Sequence, residues 1–366
     1  VTLTLATNSG TLARTGYTFA GWNTASIGNG TDYATGASYT TNAAVTLYAK
    51  WTALPDLSSI TPADGSTGVH AWTNFVITFN KSTDGSTAGT VSFTSPSLTL
   101  TNGSNCVMTF STSSQTNDRV TVALRKELAA TLAGTTYSGL SISGFRDASN
   151  NNITYTDVNY DFTVTGDVAF YPFTGNSADS SGNGYNGTVF GASLTTDRFG
   201  ASNRAYSFNG TSNYIEIADN SNLDLISDYT ISVWINASSL GQYKGIISKY
   251  QNDNDFGFSL RTGLNSPYTA IDFYDNQTSY GTISTGTWYH VVVTATSNSF
   301  NTYINGVSQR TGSITTLVNN ATPVRIGVDY MVSGTRFFNG VIDDVRIYKY
   351  GMTADEVTNI YNAERP

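Results

Sequence analysis

The sequence predicts an all-β chain, and three observations carry that prediction. Short alternating apolar runs recur along its length, among them Phe75-Val-Ile-Thr-Phe79, Tyr229-Thr-Ile-Ser-Val-Trp-Ile235 and Trp288-Tyr-His-Val-Val-Val-Thr294. Clusters of Gly, Asn, Asp and Ser stand between them. Apolar residues at every third or fourth position, the mark of helix, are nearly absent. Alternation with period two buries one face of a strand, and many such runs separated by turn residues build sandwiches or barrels.

Composition narrows the function. The chain has 366 residues, 39% hydrophobic and only 12% charged, which argues against disorder. At about 150 residues per domain the length suggests two or three domains. Cys106 is the single cysteine, so an internal disulfide and a cysteine-rich zinc site are excluded. It sits in a strand-like run with no histidine near in sequence, which predicts a buried, inert thiol. His70 and His290 are the two histidines, so a His-rich metal centre is excluded too. A net charge of −8 opposes binding to nucleic acid and to anionic membrane surfaces. No apolar run approaches the ~18 residues of a membrane span. The chain begins at Val1 without a signal pattern and is read as part of a longer protein, with targeting and anchoring signals elsewhere.

Two breaks divide the chain. One is Thr52-Ala-Leu-Pro-Asp56, where proline follows a strand; the other is Thr163-Val-Thr-Gly-Asp167. Residues 1–52 carry Gly16-Tyr-Thr-Phe-Ala-Gly-Trp22 and end in Leu47-Tyr-Ala-Lys-Trp51, with Asn8-Ser-Gly10 before them. This resembles the Listeria–Bacteroides (internalin B-type) repeat, which implies a small β-grasp-like module used as a spacer or adhesive unit. A segment this short has little core, so Tyr17, Phe19, Trp22, Tyr48 and Trp51 are expected to fill it.

Residues 53–165 carry Pro62-Ala-Asp-Gly65 with Val69, and later Asp147-Ala-Ser-Asn150. They resemble a bacterial immunoglobulin-like domain, which implies a rigid spacer sandwich. Asn150 stands where that family has glycine, a mild change because Asn tolerates positive φ. Leu124–Leu132 is the place in this segment where a short helical turn is expected.

Residues 167–366 present Val168-Ala-Phe-Tyr-Pro-Phe173, Asp179-Ser-Ser-Gly-Asn-Gly184, Ala205-Tyr-Ser-Phe-Asn-Gly210, Tyr214-Ile-Glu-Ile217, Tyr303-Ile-Asn-Gly306 and Phe338-Asn-Gly-Val-Ile-Asp-Asp-Val-Arg-Ile-Tyr348. In that order the pieces resemble a laminin G-like, concanavalin A-like domain, which implies a two-sheet jelly roll. Thr353-Ala-Asp-Glu356 reads as a capping box opening a terminal helix from Ala354 to about Asn362.

This third segment holds 17 of the 26 acidic residues and 11 of the 18 basic ones. Calcium takes 6–8 oxygens from carboxylates, carbonyls and amides. In jelly rolls of this kind a structural calcium ties the first segment to the last strand, and the matching positions are Asp179, Asn209, Gly210 and Asp343. Strict alternation puts Asp343 on one face with Val345 and Ile347, toward the core, where a carboxylate needs a cation or hydrogen bonds. The alternative is that Asp343 pairs with an arginine or amides and Asp179 shapes a turn.

A glycan site is the second expectation. Sugar rings stack on aromatic faces while their hydroxyls bond to Asp, Asn and Arg. The loop residues Tyr250, Asp253, Asp255, Tyr274, Asp275, Tyr280, Tyr330 and Arg336 supply those groups. Trp234 and Trp288 fit core positions, and His290 reads as a hydrogen-bonded structural histidine.

Catalysis is not expected. Retaining hydrolysis needs two carboxylates about 5 Å apart. The Glu-x-Asp-x-x-Glu strand of laminarinase-type jelly rolls is absent, as are the Gln-x-His and Tyr-Lys-x-Gly-x-Tyr strands of alginate-lyase-type ones. The reading is a monomeric, non-catalytic, carbohydrate-binding or adhesive region of a larger bacterial secreted or surface protein, with a catalytic domain elsewhere left open. The competing reading is a protein-binding adhesin or a purely structural stalk.

Overall fold

A computed structural model describes every residue except 1, 9, 42, 87, 125–133, 253–254, 264–267, 274–280, 297–298, 315–318 and 330–335. Among the described residues the fold is all-β apart from a three-residue 3-10 turn at Ser221–Leu223 and one C-terminal α-helix. It divides into two compact units, the first Val1–Val69, Asn74–Ala123 and Thr136–Thr163, the second His70–Thr73, Leu124–Thr135 and Val164–Pro366. The helical turn expected over Leu124–Leu132 lies, from residue 125 on, outside the described residues.

The first unit opens with β1 (Leu3–Thr4), β2 (Tyr17–Asn23), β3 (Asp32–Tyr33), β4 (Ser38–Tyr39) and β5 (Tyr48–Ala53). They pair as β3-β2-β5 and β1-β4. Phe19 meets Trp22 and Trp51 edge to face, at 5.1 and 5.8 Å between centroids. These rings are half-buried, whereas Tyr48 is exposed, which corrects its expected core role. So small a module has too little volume to enclose five aromatic rings.

The same unit continues with β6 (Leu57–Thr61), β7 (Ser66–His70), β8 (Phe75–Phe79), β9 (Thr90–Ser95), β10 (Leu98–Thr101), β11 (Cys106–Ser111), β12 (Arg119–Leu124), β13 (Thr136–Arg146) and β14 (Asn152–Thr165). They form two sheets, β10-β9-β13-β14-β7 and β11-β12-β8-β6. Alternation is strict in β8, whose Phe75, Ile77 and Phe79 are buried. Phe75, Phe93 and Phe162 pack together there, each burial contributing about 1.5–3 kcal/mol. Cys106 is fully buried, and Asn150 adopts φ 66°, the conformation expected where it replaces glycine.

The second unit contains β15 (Ala169–Tyr171), β16 (Gly187–Phe190), β17 (Ser193–Thr195), β18 (Ala205–Asn209), β19 (Tyr214–Ile217), β20 (Tyr229–Ala237), β21 (Gly245–Asn252), β22 (Asp255–Thr262), β23 (Ile271–Phe273), β24 (Trp288–Thr296), β25 (Ser299–Ile304), β26 (Val307–Ser313), β27 (Val324–Ile326) and β28 (Asn339–Tyr348). One sheet runs β17-β18-β28-β20-β24-β25-β26, with β15 also on β28; the other runs β16-β19-β27-β21-β22-β23. Between them lies the core, where Ile231, Val233, Ile235, Val291, Val293 and Val345 of the first sheet meet Ile215, Phe258, Leu260, Val324 and Ile326 of the second. The helix Ala354–Glu364 starts on the expected capping box: Thr353 accepts from the Glu356 amide and Glu356 from the Thr353 amide. Residues His70–Thr73 belong to this unit. Trp72 Nε1 donates to the Tyr348 hydroxyl at 3.1 Å, and the His70 ring stacks on Tyr350.

Candidate functional site

The two outer faces of the jelly roll differ. On β20 the residues Thr230, Ser232 and Trp234 alternate with the core set, yet all are buried, so the middle of this sheet is covered on both sides. Trp234 Nε1 donates to Glu364 Oε2 at 2.9 Å, and the Trp234 ring lies near-parallel to His290 and to Tyr361 of the terminal helix. Trp234 is therefore buried as expected, but beneath the helix and outside the inter-sheet core. Trp288 is only half-buried. His290 Nε2 lies 2.8 Å from Ser232 Oγ, a structural role in line with its reading. Arg346 pairs with Asp167 and Glu364. Burial disfavours its charge, but Tyr348, Glu364, Asp167 and Asp344 outweigh that and raise its affinity for the proton above the usual arginine value.

The residues assigned to calcium lie on or beside this covered sheet. Asp343 does not face the core. It stands opposite Trp234, while Arg346, three residues on, stands opposite Ser232 two residues away on β20. The extra residue is a β-bulge with Asp344 at φ 43°, and it reverses the alternation on which the inward reading relied. Both carboxylates meet the buried guanidinium of Arg198: Nη1 bonds Asp343, and Nη2 donates to Asp344 Oδ2 at 2.6 Å. Asp343 Oδ1 also accepts the Asp344 amide. Asp179 accepts the amides of Phe170, Ser181 and Tyr185, and Asn209 Oδ1 accepts those of Thr211, Ser212 and Asn213. Gly210 turns at φ 76° against Asn339. Donors from within the chain already bond the side-chain oxygens of Asp179, Asn209 and Asp343, which opposes calcium at these three side chains. Among the described residues no group of three His, Cys, Asp or Glu side chains is placed to hold a metal.

The other sheet is open at one end. In β19 and β27 buried residues alternate with half-exposed ones, and in the edge strand β16 half-buried residues alternate with exposed ones, because nothing described covers their outer face. Ile215 and Ile217 point inward, so Tyr214 and Glu216 point out. Phe190, paired with Tyr214, is 41% exposed, and the two rings stack at 4.6 Å and 8°. Beside them Arg325 Nε donates to Glu216 Oε2 at 3.0 Å. Thr188, Glu216, Arg325, Ser248 and Ser259 form one cross-strand row.

Toward β22 and β23 the same face carries a buried ion network. Asp329 accepts from Ser259, from Arg261 at 3.1 Å and from Arg336 at 3.0 Å, and Arg261 Nε donates to Asp272 Oδ2 at 2.9 Å. Burial disfavours the Arg261 charge, but Asp329 and Asp272 more than offset this and hold its pKa above the ordinary value. Both guanidiniums stand over the half-exposed ring of Tyr243, at 4.3 and 4.8 Å.

Of the loop residues expected to meet a sugar, Arg336 belongs to this network and Tyr250 is buried, which removes its ring from an exposed role. Asp255 stands opposite Asn252 in the β21–β22 hairpin. Asp253, Tyr274, Asp275, Tyr280 and Tyr330 lie outside the described residues. Sequence reasoning missed Phe190, Tyr214, Glu216 and Arg325. The alternation in Tyr214-Ile-Glu-Ile217 carried the signal for two of them; the neighbours that assemble the face are distant in sequence.

Comparison with known families gives the class. A model described as the concanavalin A-like lectin/glucanases superfamily matches residues 209–358. The Listeria-Bacteroides repeat domain matches residues 2–50, and a bacterial Ig-like domain matches residues 52–164. The three family matches agree with the three resemblances read from the sequence. No curated protein matches the chain. Solved structures similar to it include domain 4 of an extracellular arabinanase from Geobacillus stearothermophilus in complex with arabinotriose. That pair shares 23% identity and a TM-score of 0.44, over 54% of this chain and 98% of that one. The botulinum neurotoxin serotype D binding domain is 18% identical, with a TM-score of 0.40, over 54% of this chain and 52% of that one. A Trypanosoma rangeli sialidase mutant displaying trans-sialidase activity is 16% identical, with a TM-score of 0.43, over 54% and 32%. Among the described residues no helix is long and apolar enough to cross a membrane.

Proposed function

We propose that the jelly roll binds a glycan, without catalysis, on the open end of the β16-β19-β27 face, and that the repeat and Ig-like modules serve as spacers in a bacterial extracellular protein. The observation that carries this is the exposed Phe190–Tyr214 stack beside the Glu216–Arg325 pair. Aromatic faces take the apolar side of a sugar ring, and a carboxylate beside a guanidinium offers acceptors and donors to its hydroxyls. The superfamily match and the bacterial surface-type modules support the same reading. An open face suits the interior of a chain, so a polysaccharide is the expected partner.

The test is retention of the full chain on immobilised polysaccharides. Phe190→Ala and Tyr214→Ala are expected to weaken retention about tenfold, since stacking of this kind contributes on the order of 1 kcal/mol beyond burial per ring. Retention of a cell-surface protein with no polysaccharide bound would favour the adhesin reading and refute the glycan one.

A further inference from the structure

We propose a second ligand site on the covered side of the jelly roll: a pocket that takes one terminal sugar unit, neutral or amino-bearing, end-on. The inference rests on the glycan reading above and adds a different mode of recognition. A cavity of about 450 Å³ opens between β15, the Asp343–Asp344 bulge and the turn that follows Asp197. It belongs to the opposite sheet from the Phe190–Tyr214 stack. Small-molecule sites run from about 300 to 1,000 Å³, so this volume has room for a single sugar unit.

The lining matches that ligand. Phe170, Pro172 and Phe199 form apolar walls, and Asp197, Arg204 and Thr174 bring polar groups to them. Phe199 is 54% exposed and Arg204 is exposed, so both meet an entering ligand without rearrangement of the core. Asp197 is positioned by its own turn, where Oδ1 accepts the Phe199 and Ala201 amides at 2.9 and 2.8 Å. The floor is Asp343, Asp344 and Arg346, whose ion pairs with Arg198, Asp167 and Glu364 hold it rigid. A fixed polar floor with apolar walls recognises hydroxyls at defined positions around a ring.

Charge sets the class further. Asp167, Asp197, Asp343, Asp344 and Glu364 stand against Arg198, Arg204 and Arg346, five carboxylates to three guanidiniums, a formal −2. Such a site opposes a uronate or a sulfated sugar and accommodates a neutral or protonated amino sugar.

The experiment is calorimetric titration of the full chain with methyl glycosides of glucose, galactose, xylose and glucosamine, and with methyl glucuronide as the anionic probe. At least one neutral or amino glycoside is expected to bind, and the glucuronide at least tenfold more weakly. Phe199→Ala and Arg204→Ala are each expected to weaken that binding at least tenfold, against less than twofold for Val307→Ala, an exposed residue elsewhere. Unchanged melting temperatures will show that the variants remain folded. The pocket is overturned if binding survives both pocket variants, falls only with Tyr214→Ala, or prefers the glucuronide. It is overturned alone if polysaccharide is retained and no monosaccharide binds; if neither binds, the glycan reading falls with it.

Discussion

Replacing Arg198 by methionine tests the claim that an arginine, not a metal ion, holds the last strand's paired carboxylates. The wild-type guanidinium is fully buried, bonds Asp343 and Asp344, donates through Nε to the Glu364 carbonyl at 2.8 Å, and lies 4.5 Å from the centre of the Trp234 ring. Methionine keeps part of the stem volume and removes every donor. Two adjacent buried carboxylates then lose the guanidinium that bonds both of them. Breaking a buried pair from one side costs about 3–5 kcal/mol. A unit of this size loses roughly 2–4 °C per kcal/mol, which gives a fall of about 6–20 °C in Tm. The assay is scanning calorimetry of the full chain, following the transition of the second unit with and without EDTA. The triple variant Arg198→Met, Asp343→Asn, Asp344→Asn removes the charges together and is expected to recover at least half of the loss. A fall below about 1 kcal/mol for Arg198→Met would refute the reasoning. So would a wild-type Tm that drops on chelation and returns with calcium.

Further outcomes are expected of the same unit. Chelation alone should leave the wild-type Tm within measurement error, since Asp179, Asn209 and Asp343 already accept from donors within the chain. Burial acts to raise the Glu356 pKa, but bonds from His70, the Thr353 amide and Thr73 outweigh it and hold the carboxyl below its ordinary 4.5. Its folded pKa is depressed, so its contribution is complete above the unfolded value and is lost as pH falls below 4.5 through the folded one. Glu356→Gln should flatten that part of the stability profile, measured by urea denaturation between pH 5 and pH 2 as an approximate range. Trp234→Phe keeps an aromatic ring but removes the indole N–H that bonds Glu364 Oε2 at 2.9 Å, and should cost about 1–3 kcal/mol by the same denaturation.

Much of the fold was legible in sequence because its signals are local. The capping box at Thr353 and Glu356 uses groups three residues apart and forms as read. The buried alternation of β8 and the positive φ of Asn150 likewise follow from side chains and their immediate neighbours. The site was less legible. Tyr250 looked like a loop aromatic but is carried into a buried strand end, because β21 extends through it and pairs with β22. Phe190, on a four-residue strand, had no distinguishing pattern of its own, and only pairing with Tyr214 makes it half of a platform.

The sequence by itself determined an all-β chain of three module types and a capped terminal helix, since period-two patterning, turn residues and caps act over a few residues. Tertiary structure alone decided which face each charged residue took. Asp343 read as inward by alternation, yet a bulge at Asp344, which exists only as a relation between β20 and β28, turned it outward. Its partner Arg198 lies 145 residues earlier in the chain. Parity along a strand is local, but the step that breaks it and the cation that meets the carboxylate come from distant segments, and only packing brings those together.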